Sequence, residues 1–189
     1  MSRLSRTSAD IDEPIRVVEY DPRWPIWYTA DAGELSNALG ARIREVQHFG
    51  STSVPGMAAK PIIDILVSPL EWPLAAHDRR ALEALGYQYL GEAGVVGREY
   101  FRRRGAHDTN LAVVEWGTSL WHDNLLLRDF LRAHEDAAAE YARSKEEAWQ
   151  SGASTLLTYS ERKGHAVTAL LIAAKRWQTK QSSGRGDPV

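Results

Sequence analysis

The stretch from His48 to Val67, HFGSTSVPGMAAKPIIDILV, holds the groups best suited to chemistry. Gly50, Ser51 and Thr52 open a loop, Pro55 and Gly56 turn it, Lys60 closes it, and Asp64 interrupts the apolar run that follows. Such a loop suits a phosphate. Glycine lets the backbone approach a ligand, successive N–H groups form an anion-binding concavity, and hydroxyls add donors. Lys60 supplies a point charge, and Asp64 can hold a divalent ion that bridges phosphate oxygens. Plainer readings stand beside these. Gly-Ser-Thr is common in tight turns, and Lys60 can be a surface lysine ahead of a strand. Asp64 can pair with Lys60, because a lone carboxylate inside IIDILV is costly to bury. The segment is not a P-loop, since Met57 follows Gly56 and Pro61 follows Lys60. Neither Gly-x-Ser-x-Gly nor His-Glu-x-x-His occurs.

Other candidates lie downstream. Arg98, Arg102, Arg103 and Arg104 crowd one short run. On a strand, Arg98, Arg102 and Arg104 share a face. They read either as a solvated edge that blocks pairing or as an anion clamp, with Arg98 the best placed for it. Glu115 ends an apolar run and is the candidate for a further acid. Tyr141/Lys145 and Tyr159/Lys163 stand at i, i+4, a spacing that packs their stems between helices. His107–Asp108 and His122–Asp123 are adjacent pairs without metal-ligand spacing.

These groups need a frame. Ile15–Glu19, Ile43–Phe49, Ile62–Val67, Tyr87–Leu90, Arg98–Arg103 and Asn110–Glu115 read as strands. IIDILV is apolar enough for a central strand covered on both faces. Helices are expected from Ile26 to a stop at Gly40, over Pro73–Leu85, and from Leu120 onward, ending with Ser154–Trp177. Mixed elements first and helices last predict an α+β domain with a C-terminal helical layer. The polar ends, 1–13 and 180–189, read as disordered, leaving one domain over 14–179.

The 189 residues carry 23 Lys plus Arg against 25 Asp plus Glu, a net charge of −2 that argues against duplex DNA as a partner. Cysteine is absent, which excludes disulfides, thiol catalysis and zinc–thiolate sites. No apolar run reaches the length of a membrane span, and no secretory signal opens the chain. The expected compartment is the cytoplasm.

Gly-Ser after a strand, a loop, then an acid on the next strand resembles the opening of the polymerase-β-like nucleotidyltransferase site. The fuller string His48-x-Gly50-Ser51-Thr52-x-Val54-Pro55-Gly56, continuing to Lys60-Pro61-x-x-Asp64-Ile65, resembles the GrpB family. That is a group of bacterial proteins of uncharacterised function, sometimes fused to dephospho-CoA kinase. Arg98-Glu99-Tyr100-Phe101, Leu120-Trp121, Arg128 to Arg132, Tyr141-x-x-x-Lys145 and Tyr159-x-x-x-Lys163 extend the likeness over residues 15–178. It implies a mixed sheet flanked by helices and a nucleotidyl group passed from a nucleoside triphosphate to a small acceptor. In that reading Asp64, with Glu115, holds Mg²⁺, and Gly50, Ser51 and Thr52 hold phosphates. Lys60 offsets developing charge, while Arg98, Lys145 and Lys163 reach the ligand. Two positions depart from the pattern. Ile62 and Leu66 flank Asp64 where a second strand acid belongs, and Asn110 and Ala112 stand where similar proteins carry histidines. The alternatives are a non-catalytic module for a nucleotide or another phosphorylated metabolite, or an enzyme of specialised metabolism reusing the anion pocket. The residues leave the oligomeric state open.

Overall fold

The computed structural model describes residues 12–14, 16–150 and 155–183, with 156–163 and 183 described by backbone alone. Helix α1 (Trp24–Leu39) carries Pro25 in its first turn, where a missing N–H leaves no bond unmade. It ends at Gly40, whose φ of 57° suits glycine. Next come β1 (Ile43–Phe49), β2 (Ile62–Pro69), α2 (Ala76–Ala84), β3 (Gln88–Tyr89), β4 (Arg98–Arg103) and β5 (Asp108–Val114). Three helices close the chain: α3 (Ser119–Ala133), α4 (Glu135–Gln150) and α5 (Leu156–Ser183).

The strands form one five-stranded sheet in the order β1-β2-β5-β4-β3. β2 and β5 run parallel, and the other pairs are antiparallel. The fold is therefore α+β, a mixed sheet flanked by helices, as expected. Alternation along the strands sends successive side chains to opposite faces. Ile63, Ile65, Val67, Phe101, Leu111 and Val113 pack with Trp24, Leu35 and Leu39 of α1 and Leu82 of α2. On the other face Leu66, Ala112 and Val114 meet Trp121 of α3. A separate cluster joins Phe130, Leu131, Tyr141 and Ala174 of the three last helices to Val54 and Met57 of the β1–β2 loop. The C-terminal helices are thus a layer seated on that loop. At the β1 edge, the Tyr28 hydroxyl of α1 donates to the Val46 carbonyl at 3.1 Å.

Three expectations are corrected. Ile15–Glu19 is no strand: Val18 exchanges two backbone bonds with Ala59 (2.9 and 3.0 Å) and Pro14 bridges Thr155, while Ile15 lies outside the described residues. Both partners belong to loops, so no ladder propagates, and Pro14 has no N–H to offer one. Helix α2 starts at Ala76, three residues after Pro73. Helix α5 runs past 179 to Ser183 because Lys180 and Gln181 are good helix formers and the glycines come only afterwards. Of the two ends expected to be disordered, 1–11 and 184–189 lie outside the described residues. Glu13 does not stand apart from the domain: Arg104 holds it in an ion pair. Among the described residues no helix is long and apolar enough to cross a membrane.

Candidate functional site

Antiparallel pairing puts Phe49, the last residue of β1, opposite Asp64 near the start of β2. Gly50 follows immediately with φ of 69°, a conformation that side chains other than glycine's seldom adopt. A Cβ placed on Gly50 would lie 2.7 Å from Asp64 Oδ2. The loop therefore touches the carboxylate through bare backbone. Ser51–Ser53 then makes a single 3₁₀ turn, with the Ser53 hydroxyl donating to the Gly50 carbonyl at 2.6 Å.

Lys60 Nζ donates to both Asp64 oxygens, at 3.1 and 3.2 Å. Asn110, in register with Asp64 across the parallel pair, donates its amide to Oδ1 at 2.8 Å. The Asn110 oxygen in turn accepts from Arg104 at 3.0 Å. These bonds hold the Asp64 side chain in place, yet 17% of its surface stays open to solvent. An incoming group can reach it.

The helical layer supplies the opposite wall. From α4, Lys145 is buried and its ammonium donates to the Ala58 carbonyl at 2.6 Å, 4.8 Å from the Tyr141 ring. Burial and the nearby Asp64 charge hold the Tyr141 phenol above its ordinary pKa, against a hydrogen bond with Ser51 that lowers it. Tyr141 therefore links α4, Ser51 and Asp64. Tyr100 of β4 is raised likewise, by burial and by Asp64, with Arg98 and Arg104 acting the other way. Arg98 lies 4.4 Å over the Tyr100 ring and donates to the Glu92 and Ala93 carbonyls. Burial lowers its pKa, while Tyr100 and Asp64 raise it. From α3, Arg128 donates to the Gln47 side chain (2.6 Å) and the His48 carbonyl (3.0 Å), and Arg132 to the Ser53 carbonyl (2.9 Å). They fasten the loop from outside.

The structure thus gathers Gly50, Ser51, Lys60, Asp64 and Lys145, with Arg98 within electrostatic reach. Thr52 is turned away: its hydroxyl is fully buried and meets His48 Nε2 at 3.0 Å, so it braces the loop. Burial pushes His48 down to about 4, which keeps the ring neutral at physiological pH. Glu115 is a correction. It lies past the far end of β5, exposed, and its carbonyl accepts from Thr118. It stands five positions along the chain from Asn110, roughly 16 Å at the usual rise, so it cannot share a metal with Asp64. The side chain of Lys163 lies outside the described residues. Asn110, Tyr100 and Tyr141 were not singled out as site residues from the sequence; a polar Asn110 opening an otherwise apolar run was the available signal.

A family model described as GrpB protein matches residues 14–172. The chain belongs to the GrpB family. A UPF0157 protein of Bacillus subtilis is 31% identical over 176 residues, 93% of this chain and 51% of that one. The GrpB chain thus spans about half the length of that relative. A UPF0157 protein of Streptomyces coelicolor is 35% identical, with 82% of each chain covered. The conserved protein GrpB from Enterococcus faecalis, solved by crystallography, superposes with a TM-score of 0.78 at 30% identity, covering 86% of this chain and 99% of that one.

The donor set of this GrpB site fits a metal poorly. Among the described residues no three His, Asp or Glu side chains gather around a common point. The Lys60 ammonium already sits at both oxygens of Asp64, where a cation would bind. A pair of ions a few ångströms apart needs several carboxylates.

Proposed function

We propose that this GrpB chain binds a phosphorylated small molecule, a nucleotide foremost, at the Asp64 face of its sheet, and acts as a binding module. The observation that carries the reading is the charge balance. Lys60 bonds Asp64 directly, the charge of the half-buried Arg98 acts on it, and the buried Lys145 lies on the facing helix beside Tyr141. A surplus of cations inside a partly closed site favours an anion there. Gly50 lets the loop backbone lie directly against the Asp64 carboxylate, where any side chain would collide. Serine and tyrosine hydroxyls at Ser51 and Tyr141 supply neutral donors beside it.

Nucleotidyl transfer is the second reading, favoured by the contact of Gly50 with a strand aspartate. The two readings separate in one experiment. Calorimetric titration with ATP, CTP, GTP and UTP is run with Mg²⁺ and again with EDTA. The binding-module reading expects at least one nucleotide to bind in both, and Lys60→Ala to weaken it about tenfold, the size of one charge-assisted hydrogen bond. Binding only with Mg²⁺, together with release of pyrophosphate when an acceptor is added, selects transfer. No binding of any nucleotide at millimolar concentration rejects both.

A further inference from the structure

Arg102 and Arg104 lie across the sheet from Asp64, on its face. Arg102 is in register with Asn110, and Asn110 with Asp64. Neighbouring strands are about 4.8 Å apart, so the two arginines continue the line that Lys60, Asp64 and Asn110 begin. Both pair with one carboxylate, Glu13. Arg104 reaches it through Nε at 3.0 Å and through a terminal nitrogen, and Arg102 stands 3.6 Å from it. Tyr100 registers how close the groups are: Asp64, Arg98, Arg104 and Glu13 all act on its phenol.

Glu13 comes to this pair from outside the sheet. Its segment is fixed by the bridges of Pro14 to Thr155 and Val18 to Ala59, and Glu13 itself joins no apolar cluster. The side chains of Arg104 and Glu13 remain 26% and 19% exposed. Part of the pair therefore faces water, and a competing anion can reach both guanidiniums. An open cavity of about 390 Å³ is lined by Pro14, the residue after Glu13, together with Arg16, Lys60 and Asp108.

We propose that Arg102 and Arg104 form a second anion subsite, continuous with the Lys60–Asp64 site, which Glu13 occupies in the unliganded protein and which a ligand phosphate takes over by displacing Glu13. The ligand class is one with two anionic groups in tandem, a diphosphate; this rests on the reading that the site takes a phosphorylated molecule. A carboxylate held by two guanidiniums mimics a phosphate, because both present oxygens to the same planar fork. Displacement exchanges one charge-assisted contact for another. Glu13 returns to water, and Val18 keeps the segment attached.

The test is calorimetric titration of the full chain with inorganic pyrophosphate and with inorganic phosphate. Glu13→Gln and Glu13→Ala remove the competitor and should each bind pyrophosphate about tenfold tighter than the parent, with a smaller gain for phosphate. Adding Arg104→Ala to Glu13→Gln should abolish the gain. Pyrophosphate bound equally or more weakly by both Glu13 variants overturns the proposal. If Lys60→Ala still weakens pyrophosphate binding in that case, the phosphorylated-ligand reading survives and only the second subsite fails. If neither the parent nor any variant binds, both fail.

Discussion

On β2, Ile63 and Ile65 turn toward α1 while Asp64 between them turns toward the C-terminal helices. Asp31 and Asp64 are bonded carboxylates on opposite sides of the sheet, and the two are treated differently. Asp31 of α1, on the first side, accepts from Arg103, Thr109 (2.6 Å) and His107 (2.9 Å), and its side chain is 1% exposed. Asp64 is also bonded on several sides, by Lys60 and Asn110, but 17% of its side chain faces solvent. Satisfaction alone therefore does not mark a site, since buried charges are paired throughout proteins. Residual access does, together with cations that outnumber the acid. Asp31 fastens α1 to the sheet, and Asp64 stands at an opening.

The comparison breaks most readily on the packed side. Phe101→Ala deletes a fully buried ring from the core under α1. It should cost about 4 kcal/mol in urea unfolding, with nucleotide affinity of the folded fraction unchanged. A loss below about 1 kcal/mol would mean that this face is not the main core.

His48 reports on the same side through pH. Its ring is neutral in the fold, with a pKa of about 4 against an ordinary 6.5, because burial excludes the charge. The unfolded chain binds the proton first as pH falls. The contribution is therefore complete above pH 6.5, declines below it, and is gone near pH 4, a change of about 3 kcal/mol. Unfolding free energies measured from pH 7 to pH 4 should fall less steeply in His48→Gln than in the parent. Parallel curves for the two would show that burial does not hold the ring neutral.

The open side is sharpened by Gly50→Ala. The new methyl meets Asp64 Oδ2, and the left-handed backbone is strained for any side chain. About 2 kcal/mol of stability should be lost, along with nucleotide binding. Ligand binding at parental strength would remove the loop from the site. The smallest effect is expected at Glu115. Glu115→Gln should change neither stability, within about 0.5 kcal/mol, nor affinity, because the residue is exposed and far from Asp64. A marked loss of affinity there would reassign the second acid.

Much of the site was legible because its first half is local. Gly50, Ser51, Lys60 and Asp64 fall within one loop and strand, and a charge inside IIDILV announces itself. Lys145 was legible through its spacing from Tyr141, although spacing does not tell which neighbour a helix face meets. Glu115 misled because its place depends on strand direction. β5 runs parallel to β2, so the far end of β5 lies opposite the Asp64 end, and no local pattern encodes that. Thr52 misled for a smaller reason: within a 3₁₀ turn neighbouring side chains diverge, and His48 drew its hydroxyl inward. The strand expected at Ile15–Glu19 has strand-like residues, yet what they pair with is set by tertiary contacts.

The outer carbonyls of β1 have a consequence for association. Tyr28 occupies the one at Val46, and Arg128 the one at His48. At the opposite margin, β3 is only two residues long. A foreign strand that docked on either side would find acceptors already taken or too short a ladder to hold it. Strand addition, the route by which many sheets recruit peptides or aggregate, is therefore disfavoured along both margins of this one.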